Sequence, residues 1–163
     1  MGTLEQYVSA ILRGDSDAAG TPQCLLTLDA LDSLARRTLA RARRPEMADP
    51  RHLAVALGYE LLPRSPPGQW CGEGVSRGVI AYEWFPDPRE VGVRVGHGTA
   101  HGVLEKFGDK HTDGDAWVLT AMLLVPRATV HTRPPAEIIA AAWAPQWFVR
   151  LAIPLGMSWR EAV

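Results

Sequence analysis

The chain has 163 residues, 47% hydrophobic and 21% charged, with 17 basic against 18 acidic side chains and a formal net charge of −1. This composition belongs to one globular domain with a real core; it excludes a wholly disordered chain and argues against a nucleic-acid binder that uses its whole surface. The cysteines, Cys24 and Cys71, are too few for a disulfide scaffold, and no basic-then-apolar leader precedes them. No run approaches the roughly 18 apolar residues of a membrane span, so the expectation is a cytoplasmic protein with reduced thiols and no membrane contact.

Residues 3–13 predict a short helix, with Leu4, Val8, Ile11 and Leu12 on one side. The polar stretch from Gly14 to Pro22 reads as a loop. From Leu25 to Arg44 the apolar residues Leu28, Leu31, Ala35, Leu39 and Ala42 recur at helical steps, and Pro45 ends the run. Arginines crowd its C-terminal half, where cations suit the helix dipole. Asp49-Pro50 suits the start of a helix over 50–57. The character then changes. Gly58 to Pro63, Gly78 to Trp84 and Glu90 to Val95 read as strands, the last from the alternation of Val91, Val93 and Val95 with Gly92, Arg94 and Gly96. A loop rich in Pro, Gly and Ser runs from Arg64 to Gly74, and Phe85-Pro86-Asp87-Pro88 reads as a turn. Helices are expected again over 97–107, 114–125, 135–144 and 145–155. The order implies an α+β domain over 1–163, with an N-terminal helical part at 1–57 and a core at 58–163 that holds a small three-stranded antiparallel sheet.

The segment Val95-Gly96-His97-Gly98-Thr99-Ala100-His101 carries the chemistry. Two histidines four apart stand on one face of a helix, a spacing that lets both imidazoles reach one zinc ion. The spacing alone is common by chance. The next helix begins with carboxylates and ends apolar, Asp113-Gly114-Asp115-Ala116-Trp117-Val118-Leu119-Thr120-Ala121-Met122-Leu123-Leu124-Val125-Pro126. Further on stands Phe148-Val149-Arg150-Leu151-Ala152-Ile153-Pro154-Leu155-Gly156-Met157. In this order the three pieces resemble the ImmA/IrrE metallopeptidase family, in which a strand segment leads to an H-E-x-x-H helix, then to a helix of the type E-A-x-x-F-A-x-x-L-L-M-P, and later to a V-x-x-R-L-x-x-L-G segment.

The resemblance implies a zincin-like fold, a zinc ion held by His97, His101 and Asp115, and cleavage of a repressor or another protein partner of a mobile element or stress response. It departs from the family's pattern at two positions. Asp115 stands where the family has a ligand Glu, which keeps an oxygen ligand but shortens its reach by one methylene. Gly98 stands where the family has its general base, a group that contributes typically about 10²–10⁴-fold to rate. The implied protein is therefore metal-binding but catalytically impaired. An active atypical zinc-dependent endopeptidase and a non-metal interaction module are the rival readings.

Other polar residues read first as solvated surface groups. Glu105 lies about 12 Å along the helix from His97, too far to serve the same centre. Asp113, His111 and Glu73 stand at loop or helix-end positions, and His111 is an alternative third ligand. His52 and His131 lack a partner at ligand spacing. Cys71 reads as an inert thiol, the basic run from Arg36 to Arg51 as a solvated helix face, and Trp143, Trp147, Phe148 and Trp159 as helical core. No DNA reading is expected of the C-terminal helix pair, which carries little basic charge.

Overall fold

The computed structural model describes residues 3–14, 23–43, 47–64, 74–76, 78–108 and 110–161. Among these residues the chain is mostly helical with one small sheet, an α+β arrangement. The elements in order are α1 (Leu4–Leu12), α2 (Leu28–Arg41), α3 (Pro50–Ala56), β1 (Glu60–Arg64), β2 (Gly74–Ser76), β3 (Val79–Glu83), α4 (Pro88–Phe107), α5 (Asp113–Leu124), α6 (Arg127–Thr132), α7 (Pro135–Ala141) and α8 (Gln146–Glu161).

Local chemistry sets the helix starts. The Thr3 hydroxyl accepts from the Gln6 amide, and the Gln6 side chain accepts from the Thr3 amide. This reciprocal cap satisfies two amides that the first helical turn leaves unpaired. Thr27 caps α2 in the one-sided form. Asp49-Pro50 and Asp87-Pro88 start α3 and α4 alike: each aspartate accepts from the second amide beyond it, and each proline occupies a position that needs no N–H.

That second Asp-Pro pair corrects the sequence reading. Residues 90–95 are not a strand but the first turns of the 20-residue helix α4. Alternation misled because α4 is buried almost all round. Val91, Val93 and Val95 are buried, and so are Gly92 and Gly96 between them. A helix enclosed on every side has no polar face to reveal its period. Two glycines allow the enclosure. A Cβ at Gly92 would run into the Trp143 carbonyl oxygen, and one at Gly102 would lie 2.5 Å from the Tyr59 hydroxyl.

The sheet also departs from expectation. Its order is β1-β3-β2, with β1 parallel to β3 (Glu60 opposite Val79, Arg64 opposite Glu83) and only the short β2 antiparallel to it. The connection between Arg64 and Val79 is long enough for a parallel return and carries β2 within it; residues 65–73 of the expected loop lie outside the described residues. Central β3 buries Ile80, Ala81 and Tyr82.

Helix α5 is buried from Gly114 to Leu124 and packs against α4, α2, α1 and α8. Trp117, Leu119, Leu123 and Leu124 anchor the core there, with Phe148 arriving from α8. The result is a long glycine-containing helix laid against an apolar one, and the chemistry collects where the C-terminal half of α4 meets the start of α5. Among the described residues no helix is long and apolar enough to cross a membrane.

Candidate metal centre

His97 and His101 lie one turn apart on α4 and point their rings at the first residue of α5, Asp113. His97 Nε2 is 2.8 Å and His101 Nε2 2.9 Å from the same oxygen, Asp113 Oδ1. The two imidazole Nε2 atoms are 3.2 Å apart. One donor atom from each residue thus falls within a common radius, the geometry of a group able to hold a metal ion. The side chains of His97, His101 and Asp113 are 7%, 23% and 35% exposed, so the centre is rooted in the core at His97 and opens to solvent at Asp113.

Each of the three is held by a neighbour. The His97 ring stacks on Trp117 at 3.9 Å between centroids with 11° between planes. His101 Nδ1 lies 3.1 Å from His111 Nε2. With a metal bound in place of the Nε2 proton, the tautomer that donates its Nδ1 proton to His111 would present the His101 Nε2 lone pair to the centre. The Tyr7 hydroxyl, from α1, donates to Asp113 Oδ2 at 2.8 Å and leaves Oδ1 to face the histidines. Burial works to raise the Asp113 carboxyl, but its hydrogen bonds with His101, His97 and Tyr7 outweigh this and hold it well below the usual carboxylate range. Burial and then the Asp113 carboxylate push the Tyr7 phenol above its ordinary value, so Tyr7 remains a donor.

Asp115, the ligand implied by family resemblance, is not in this group. It is fully buried, and its oxygens accept from the amides of Leu26 (3.0 Å), Leu25 (3.2 Å) and Thr112 (2.9 Å). Thr112 accepts in return from the Asp115 amide, which makes Asp115 the acidic half of a capping box. A carboxylate committed to these three amides is not among the groups that converge with the histidines. The carboxylate that meets the two histidines is that of Asp113, two residues earlier. The sequence carries a signal for this: Thr112-x-x-Asp115 before an apolar run is a helix-start pattern that commits its acidic residue to the cap.

The remaining candidates disperse. His111 stands behind His101 as its hydrogen-bond partner and not among the three converging residues. Glu105 is exposed near the end of α4 and acts electrostatically on Tyr59. His52 and His131 are exposed. Arg36 and Arg51 pair with Asp32 and Asp49. Glu73 and Cys71 lie outside the described residues. Gly98 is buried on α4, one residue from His97, and brings no side chain to the centre.

No protein-family model, curated protein or solved structure matches the chain.

Proposed function

We propose that this chain is a zinc-binding, metallopeptidase-like protein of the ImmA/IrrE type that has lost efficient peptide cleavage and acts on a protein partner such as a repressor. The observation that carries the proposal is the convergence of His97 Nε2, His101 Nε2 and Asp113 Oδ1. Two imidazoles and one carboxylate, with an open side, form the ligand set of a catalytic type of zinc site. Bonds of about 2.0–2.2 Å in tetrahedral geometry put ligand atoms about 3.3 Å apart. The observed separations of 2.8, 2.9 and 3.2 Å meet this spacing if the ligands open by a few tenths of an ångström. A zinc ion held there supplies Lewis acidity toward a carbonyl oxygen.

The chain's own residues account for holding, not for proton transfer. Trp117 fixes the plane of His97, His111 orients His101, and Tyr7 turns Asp113. Gly98 cannot move a proton, and the one carboxylate that reaches the centre among the described residues is a ligand. This supports partner binding over rapid hydrolysis.

Metal analysis of the purified protein tests the first part. One zinc per chain is expected, lost in His97→Ala; no uptake after zinc reconstitution would sink the proposal. Gly98→Glu, checked for folding and zinc content, should then raise cleavage of a co-purifying partner. Chelator-sensitive cleavage by the unmodified protein would overturn the impaired reading in favour of an active atypical endopeptidase.

A further inference from the structure

On the side of α4 turned away from the histidines, a second site stands in the fold. Val103 follows His101 by two residues and so points about 200° around the helix from it. There α2, the end of α3 and the last turns of α4 enclose a cavity of about 220 Å³. Leu34, Leu57 and Val103 line it with apolar surface, and Arg37, Arg41 and Lys106 bring positive charge to it.

We propose that this cavity binds a small organic phosphate, a phosphate monoester on a compact apolar group. Three features carry the assignment. First, the cations are not neutralised, and two of them lie over aromatic rings. The Arg37 guanidinium lies 5.9 Å from the Phe107 ring centroid and the Lys106 ammonium 4.7 Å from that of Tyr59. None of the three makes an ion pair among the described residues, whereas Arg36 and Arg51 do. Glu105 is the one carboxylate felt at Tyr59, so positive charge is in excess here on a chain whose net charge is −1. Second, Arg37 and Arg41 are one turn apart on α2 and line the cavity together with Lys106 of α4. Two guanidinium forks and an ammonium lining one cavity suit the several oxygens of a phosphate dianion better than the two of a carboxylate. Third, the floor is apolar and aromatic, which suits the ester group and gives a bare phosphate little to hold. The Tyr59 hydroxyl itself is turned away into the protein against Gly102, so Tyr59 offers the cavity its ring.

The test is an amide-resolved NMR titration of the full chain with phenyl phosphate, inorganic phosphate and benzoate. Saturable shifts at Thr38, Arg41 and Phe107 are expected, tightest for phenyl phosphate. Arg37→Gln and Arg41→Gln should each weaken binding roughly tenfold, the loss of one charge-assisted hydrogen bond, while Arg13→Gln on α1 leaves it unchanged. These arginines are exposed, so the variants are expected to keep the melting temperature. The same titration of His97→Ala should be unaltered, which separates this site from the metal centre. The proposal is overturned if the shifts do not saturate, if the arginine variants bind equally well, or if His97→Ala abolishes binding. It is also overturned if inorganic phosphate or benzoate matches phenyl phosphate, or if a tyrosine-phosphorylated peptide binds tenfold tighter, which would make the occupant a protein segment.

Discussion

Asp113 and Asp115 are two residues apart and carry the same group, yet the structure gives them opposite tasks, and conservative amides distinguish them. Asp113→Asn removes the negative charge from an atom 2.8 and 2.9 Å from the two imidazoles. A structural zinc site gains about 10–16 kcal/mol from four ligands, or about 2.5–4 kcal/mol for each. Zinc affinity should therefore fall by about 10²-fold or more, with a small change in the melting temperature of the metal-free protein. Asp115→Asn leaves the ligands intact. An amide oxygen in place of Oδ2 keeps the Leu25 and Thr112 bonds, but the new NH₂ faces the Leu26 amide, donor against donor. Losing a bond to a charged acceptor and leaving a donor unsatisfied costs about 2–5 kcal/mol, or roughly 5–15 °C for a chain of this size. Competition with a chromogenic chelator measures the first effect, and thermal unfolding of the metal-free protein the second. Zinc lost from Asp115→Asn at unchanged melting temperature, together with zinc retained by Asp113→Asn, would refute the assignment and restore Asp115 as the ligand.

The residues behind the ligands should matter less than the ligands do. Tyr7→Phe and His111→Ala, which remove the hydrogen bonds to Asp113 Oδ2 and His101 Nδ1, should each lower zinc affinity about 10–100-fold; unchanged chelator competition in both would show that the orientation is set elsewhere. Cys24 is exposed, yet desolvation of its sulfur and then the Asp115 carboxylate push its thiol up to about 11. A raised thiol pKa means less thiolate at a given pH. At about pH 8, lower thiolate content, partly offset by higher intrinsic nucleophilicity, should slow alkylation about 20-fold against a free cysteine. Followed in a Cys71→Ser background, the rate should rise about tenfold per pH unit until close to 11; a plateau near pH 9 would contradict the shift. Gly92→Ala should lower the melting temperature by several degrees, because the clash with the Trp143 carbonyl oxygen costs more than the roughly 1 kcal/mol of helix propensity gained. A rise would show that the backbone there yields easily.

Most helices were legible because each carries its own punctuation. Thr3, Thr27 and Asp49-Pro50 mark starts, and the apolar spacing of α1 and α2 marks their buried faces. What failed did so for lack of contrast. The first turns of α4 present valines and glycines that are all buried, so an alternating pattern carried no information about period, while the deciding signal, Asp87-Pro88, sat in a segment read as a turn. The parallel pairing of β1 with β3 depends on a return path through residues that no local pattern describes. At the site, spacing placed both histidines together. Family resemblance matched Asp115 by position, whereas the structure brings Asp113 to the histidines and ties Asp115 to three amides, two of them 89 and 90 residues away. Long-range commitments of this kind leave no trace in spacing.

Those same bonds bear on what the N-terminal helices do. Tyr7 of α1 ends on Asp113, the Leu25 and Leu26 amides end on Asp115, and the Thr112 hydroxyl donates to the Gln23 carbonyl. Every one of these contacts lands on the first turn of α5 or its cap, the turn that presents the carboxylate to the histidines. Displacing the N-terminal helices would strip the Asp115 carboxylate of two of its three amide partners and leave Asp113 free to turn away from His97. A partner that grips α1 or the approach to α2 would therefore act on the metal centre without touching it, and bound zinc would in turn stabilise the docking of those helices, since the two effects are one coupling free energy seen from either end. For the zinc site proposed above, with Gly98 where the family it resembles carries a general base, that coupling offers a use for the metal that needs no hydrolysis.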